Sequence, residues 1–207
     1  MNVSCDGVLL MAVEMRSRCR SVPLRIMLPL LVATLAFAES PPNTPVPDDP
    51  ACTAEDRKFM ARAFELSRLS VARGDHAPAS VLVKNGVIIC EYGNSINTDS
   101  DLTMHGETGL ISRASRVLPK SVLQGSTLYT SQEPCIMCCG SIHAAGITTV
   151  VYGGTNRQPN GQLWGPKRLG IREIYERYEW NIAVRGPLMD AEPLKIKAEM
   201  AAAKAKP

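Results

Sequence analysis

Two β-rich runs, Ala79-Ser80-Val81-Leu82-Val83 and Val87-Ile88-Ile89-Cys90-Glu91-Tyr92, are separated by Lys84-Asn85-Gly86. Asn-Gly tolerates the positive φ angles that a two-residue turn demands, so this stretch is committed to an antiparallel hairpin. Ahead of it, Phe59, Met60, Ala63, Leu66 and Leu69 recur at steps of three and four. That spacing predicts an amphipathic helix from an N-cap at Thr53 to about Arg73, ended by Gly74. Behind the hairpin, helices and strands alternate. Helix is predicted over 106–116, strand over 126–130, a Cys-rich helix from near Pro134 to just before Gly146, and strand over 148–152. A helix near 167–177, a strand over 180–185 and a final Ala/Lys helix after Pro187 follow. A sheet built from strands that alternate with helices is covered on both faces. The expected architecture is α/β, a three-layer α/β/α sandwich around a mixed five-stranded sheet, with no internal repeat and no second domain.

The first residues follow a different logic. Arg16, Arg18, Arg20 and Arg25 precede the apolar run Ile26 to Ala38, which ends in Ala36-Phe37-Ala38. The run is too short to span a bilayer, which takes roughly 20 apolar residues, and has the layout of a signal peptide. Residues 1–38 are therefore expected to be a cleavable signal peptide and the protein periplasmic or secreted, with no stable membrane span after cleavage. An uncleaved anchor, or a gene start at Met11 or Met15, is the alternative. The Pro-rich stretch 39–52 reads as an extended linker, 53–190 as the folded domain and 191–207 as a C-terminal helix and tail. The whole chain carries 23 Lys+Arg against 20 Asp+Glu. Setting aside four basic residues and two acids (Asp6, Glu14) within 1–38 leaves 19 against 18, a formal +1. A near-neutral domain lacks the basic footprint of a protein that tracks a polyphosphate backbone.

Chemistry concentrates in two fragments, Met104-His105-Gly106-Glu107 and Glu133-Pro134-Cys135-Ile136-Met137-Cys138, each opening a predicted helix. One imidazole and two thiolates supply three ligands for tetrahedral Zn²⁺ and leave a fourth position open for water, the layout of a catalytic rather than a closed structural site. A helix N-terminus favours thiolate over thiol at the Cys pair. The pattern matches the His-x-Glu…Pro-Cys-x-x-Cys signature of zinc-dependent deaminases. From Thr53 to Pro187 the chain resembles the cytidine and deoxycytidylate deaminase superfamily. Thr127 to Gly140 and Val150-Val151-Tyr152-Gly153 are most similar to its guanine deaminase, cytosine deaminase and tRNA adenosine deaminase branch. His105-Gly106-Glu107 departs from the usual His-Ala-Glu and resembles the fungal cytosine deaminase variant; Leu102 stands where Pro is common.

The resemblance implies Zn²⁺ on His105, Cys135 and Cys138, with Glu107 shuttling protons during hydrolytic release of ammonia from a free nucleobase or nucleoside. A guanine-type substrate is preferred, then cytosine, with no nucleic acid partner; a homodimer is also implied. Asn94, 11 residues before His105, would bind the base, although an Asn after a strand is equally a turn former. Trp164, in a Gly/Asn/Pro loop, would stack on the substrate ring or pack as a lid. Cys139 and His143 read as packing residues, with disulfide pairing of Cys139 to Cys52 or Cys90 left open. The rival readings are a tRNA adenosine deaminase, a secreted effector and a non-catalytic zinc-binding module.

Overall fold

The computed structural model describes residues 45–155 and 169–204. The expected signal peptide and Trp164 lie outside the described residues. Helix α1 (Ala54–Ala72) begins with a complete capping box: Thr53 accepts from the Asp56 amide at 3.0 Å and Asp56 accepts from the Thr53 amide at 2.8 Å. Reciprocal bonding of this kind satisfies two donors that a bare helix end leaves exposed. Strands β1 (Ala79–Lys84) and β2 (Val87–Gly93) pair antiparallel through Lys84 and Val87. Asn85 and Gly86 between them take φ of 50° and 74°, the two left-handed residues the Asn-Gly pair predicts. A bulge follows, since Leu82 pairs with Cys90 while Val83 pairs with Ile88.

The chain continues through α2 (Gly106–Val117), a single turn α3 (Lys120–Leu123), β3 (Thr127–Gln132), α4 (Ile136–Ala145), β4 (Thr149–Gly154), α5 (Ile171–Arg177), β5 (Ala183–Arg185) and α6 (Ala191–Lys204). The strands form one mixed five-stranded sheet in the order β2-β1-β3-β4-β5. The β1–β3 pair is antiparallel, whereas β3–β4 and β4–β5 are parallel. Side chains alternate between its faces. Leu82, Leu128 and Val150 pack with Leu110, Ile142 and Ile174 of α2, α4 and α5. Val81, Tyr129 and Val151 pack on the other face with Phe59, Met60 and Phe64 of α1 and Ile196 of α6. The result is the expected three-layer sandwich.

Several boundaries move from their expected places. Cys135 has extended backbone (φ −76°, ψ 170°) and is the N-cap, so α4 starts at Ile136 rather than Pro134. Helix α5 starts at Ile171, because Leu169 and Gly170 are not helical and the Gly170 amide donates to Glu173. Strand β5 loses its predicted first residues: Trp180 turns off α5, its amide donating to Tyr175 O at 2.9 Å, and its ring stacks on His143 at 4.2 Å. Among the described residues no helix is long and apolar enough to cross a membrane.

Candidate metal and catalytic site

The site forms where the first turns of α2 and α4 meet the sheet. His105 is the N-cap of α2, with extended backbone at φ −67° and ψ 163°, so its side chain is thrown off the helix start while Glu107 begins the helical turn. Gly106 lies between them against β1. A Cβ built there would come within 2.7 Å of Ala79 Cα and 2.9 Å of both Ala79 N and Pro78 O. Glycine is thus what lets the helix start touch the strand, and the contact brings Glu107 to the sheet, buried at 2% exposure.

The thiols are delivered by the corner between β3 and α4, on the same face of the sheet as α2. Glu133, buried at the end of β3, accepts from the Ile171 amide at 2.9 Å and the Thr155 hydroxyl at 3.2 Å, and its own amide donates to Gly154 O at 2.7 Å. Those bonds tie the Glu133-Pro134-Cys135 corner to β4 and α5. Cys135 then caps α4, Cys139 N donates to Cys135 O, and Cys138 follows one turn along, fully buried.

His105, Cys135 and Cys138 converge, their donor atoms all within 4.8 Å of one another, and no other such trio of metal-ligating side chains occurs among the described residues. His105 Nδ1 lies 3.7 Å from Cys135 Sγ and 3.6 Å from Cys138 Sγ, and the two sulfurs are 3.5 Å apart. A tetrahedral zinc ion, with bonds of about 2.3 Å to sulfur and about 2.0 Å to nitrogen, sets S···S at about 3.8 Å and S···N at about 3.5 Å. The tripod fits such an ion in donor chemistry and in the separations of its atoms. Two buried side chains adjoin the tripod: Glu107 Oε1 accepts from Thr130 Oγ1 at 3.1 Å, and Glu107 Oε2 accepts from Cys138 Sγ at 3.4 Å.

The electrostatics are those of a crowded polar pocket. The Cys138 thiol next to it, with His105 beside both, holds the Cys135 thiol down at about 4. Cys138 is pushed up by the Cys135 sulfur and by burial. His105 is raised by its contact with Cys135, and Glu107 by burial. Proton affinity is therefore redistributed across four adjacent groups, a concentration typical of sites that handle protons.

Asn94 sits at 1% exposure just past β2. Its amide donates to Pro78 O at 3.0 Å, and its Oδ1 accepts from the Ile96 amide at 3.1 Å, closing a local turn. Asn94 thus forms a turn through its Oδ1, and its side-chain NH₂ has no partner among the described residues. The loop it opens is anchored by Asp75, also at 2% exposure, whose carboxylate accepts from the Asn97 and Thr98 amides and the Thr98 hydroxyl. Neither Asp75 nor Thr130 is singled out by motif spacing, and Thr130 opens a run of polar residues, Thr130-Ser131-Gln132, that gives no sign of its partner. Cys52, Cys90 and Cys139 are free thiols, and Cys139 is fully buried in the core.

Known proteins share this framework. The profile of the cytidine and deoxycytidylate deaminase zinc-binding region matches residues 53–154. The chain is 32% identical over 150 residues to the probable cytosine deaminase of Schizosaccharomyces pombe, covering 68% of this chain and 88% of that one. It is 41% identical over 95 residues to the guanine deaminase of Bacillus subtilis, covering 45% and 61%. A solved structure from a study of A-to-I editing by tRNA:A34 deaminases superposes with a TM-score of 0.57 at 27% identity, covering 68% of this chain and 99% of the other. The tripod, the buried carboxylate and these relationships converge: the chain belongs to the cytidine and deoxycytidylate deaminase family and is a deaminase.

Proposed function

We propose that this protein is a zinc-dependent hydrolytic deaminase of a free nucleobase or nucleoside, acting on guanine in preference to cytosine and releasing ammonia. The observation that carries the reading is the His105, Cys135 and Cys138 tripod with the buried Glu107 carboxylate beside it. Those three side chains would hold Zn²⁺, which supplies Lewis acidity and makes water nucleophilic near neutral pH. Glu107, outside the ligand set, takes a proton from the attacking water at a carboxylate oxygen and delivers it to a ring nitrogen of the base. It then carries a proton to the departing amine. Burial favours this work, because it raises the proton affinity of Glu107 towards that of the groups it serves.

Asn94 orients the base. With Oδ1 committed to its own turn, it offers N–H donors, which suit the carbonyl oxygen or ring nitrogen acceptors of guanine and cytosine alike. The preference for guanine draws on the 41% identity over 95 residues to a guanine deaminase. The formal charge of +1 over residues 39–207 favours a small substrate over tRNA. The Arg-rich, apolar leader supports export, and exposed Ile136 and Met137 beside the thiol pair support the homodimer that the resemblance implies.

Ammonia release from the zinc-loaded protein, measured over guanine, cytosine, adenine, their nucleosides and a tRNA anticodon stem, tests the reading. Turnover of guanine, or of cytosine at lower efficiency, is expected. Turnover of the RNA alone would replace this proposal with a tRNA adenosine deaminase.

A further inference from the structure

We propose that Thr130 is the positioning residue for the Glu107 carboxylate. The proposal rests on the reading of Glu107 as the proton carrier. A carboxylate that both accepts and donates a proton needs a fixed reference, since general acid–base catalysis fails when the group drifts out of hydrogen-bond reach. Among the described residues the Glu107 carboxylate has two side-chain hydrogen-bond partners, Thr130 Oγ1 at 3.1 Å and Cys138 Sγ at 3.4 Å. A ligating thiolate has no proton to give, so Thr130 is left as the only side-chain donor to this carboxylate among the described residues.

Thr130 is well placed to serve. It lies fully buried in β3, a central strand, paired across to Ser80 of β1 on one side and Tyr152 of β4 on the other. Its β-branched side chain has restricted χ1 freedom, and its single hydroxyl proton lies between two acceptors, Glu107 Oε1 at 3.1 Å and Gln132 O at 3.2 Å. The hydroxyl is thus fixed to the most rigid layer of the molecule, while Glu107 reaches it from a helix start.

Ser80 supplies an internal control. It sits directly opposite Thr130 in the antiparallel pair, so both side chains emerge on the same sheet face. Yet Ser80 Oγ is buried and has no hydrogen-bond partner. Two hydroxyls therefore occupy one neighbourhood and only one engages the carboxylate. Removing an unpaired buried hydroxyl is close to neutral, whereas removing a donor to a charged acceptor is not.

The test compares T130V, T130S, S80A and E107Q in the full chain by kcat and KM for ammonia release from guanine and cytosine, by zinc content, and by the Glu107 side-chain position in crystals. T130V, close to isosteric, is expected to lose about 10- to 100-fold in kcat with KM and zinc content unchanged and Glu107 rotated away. T130S should restore kcat and the Glu107 position, and S80A should match the wild type in both. An inactive E107Q together with T130V at wild-type kcat, or a T130V loss that T130S does not restore or that S80A reproduces, overturns the role of Thr130. Wild-type activity in E107Q instead removes the reading of Glu107 itself.

Discussion

Gly106→Ala should damage this protein, although alanine is the usual residue between the His and Glu of such a pattern and a better helix former than glycine. The structure supplies the reason. The added methyl would lie 2.7 Å from Ala79 Cα, 2.9 Å from Ala79 N and 2.9 Å from Pro78 O, all backbone atoms with no flexible end to turn aside. Either the first turn of α2 lifts off β1 or the start of β1 is displaced. Overpacking of this kind costs about 1–3 kcal/mol, against which alanine's helix propensity returns at most about 1 kcal/mol. A net loss of about 1.5 kcal/mol corresponds to a melting temperature lower by roughly 5 °C for a chain of this size. Because the shifted backbone lies between His105 and Glu107, a displacement of several tenths of an ångström should also lower kcat by about tenfold or more. Thermal unfolding with EDTA present isolates the packing effect from any change in metal affinity, and ammonia release with saturating zinc reads the catalytic effect. A G106A protein that melts within about 1 °C of the wild type and turns over at the same rate would refute the close-approach argument.

The same reasoning gives the opposite sign at Gly140 in α4, where an added Cβ meets nothing within 4 Å: G140A should raise stability by up to about 1 kcal/mol, read as a higher melting temperature. Asp56 lies at 2% exposure; burial pushes its carboxyl up, but bonds from Arg185, the Thr53 amide and Tyr129 outweigh it and leave the pKa lowered. Its contribution is therefore present above the unfolded carboxylate pKa of about 3.9 and lost as pH falls through the lower folded value. D56N should cost about 3 kcal/mol at pH 7, and its melting temperature should converge on the wild type as the pH drops below about 4; a constant difference across that range would contradict the linkage. Zinc analysis of the purified protein should find about one ion per chain, and C138S should abolish it while leaving far-ultraviolet circular dichroism intact. Full occupancy in C138S would remove Cys138 from the ligand set.

Much of this was legible before any coordinates, and the reasons differ element by element. The Asn85-Gly86 turn and the Thr53 cap are local signals, decided by backbone preferences within four residues. His105, Glu107, Cys135 and Cys138 stood out through the His-x-Glu…Pro-Cys-x-x-Cys signature; spacing alone relates Cys135 to Cys138 across one helix turn and does not bring them to His105, 30 residues earlier. The strand order β2-β1-β3-β4-β5 was not, since no local pattern says which strand pairs with which. Helix α3 is one turn long, too short for any periodicity. Trp180 falls inside the strand expected over 180–185, but its ring stacks on His143 and the strand begins at Ala183. Thr130 and Asp75 escaped because each acts through a contact across the sequence, 23 residues from Glu107 and 22 to 23 from the Asn97-Thr98 amides.

The most direct measurement of the central claim pairs zinc content with turnover in the wild type and in Glu107→Gln. The account predicts equal zinc, about one per chain, in both proteins. It predicts ammonia release from guanine by the wild type and a rate lower by about 10²–10⁴-fold in the variant. Undiminished turnover in Glu107→Gln, or undiminished turnover by a wild-type protein stripped of zinc, would contradict it.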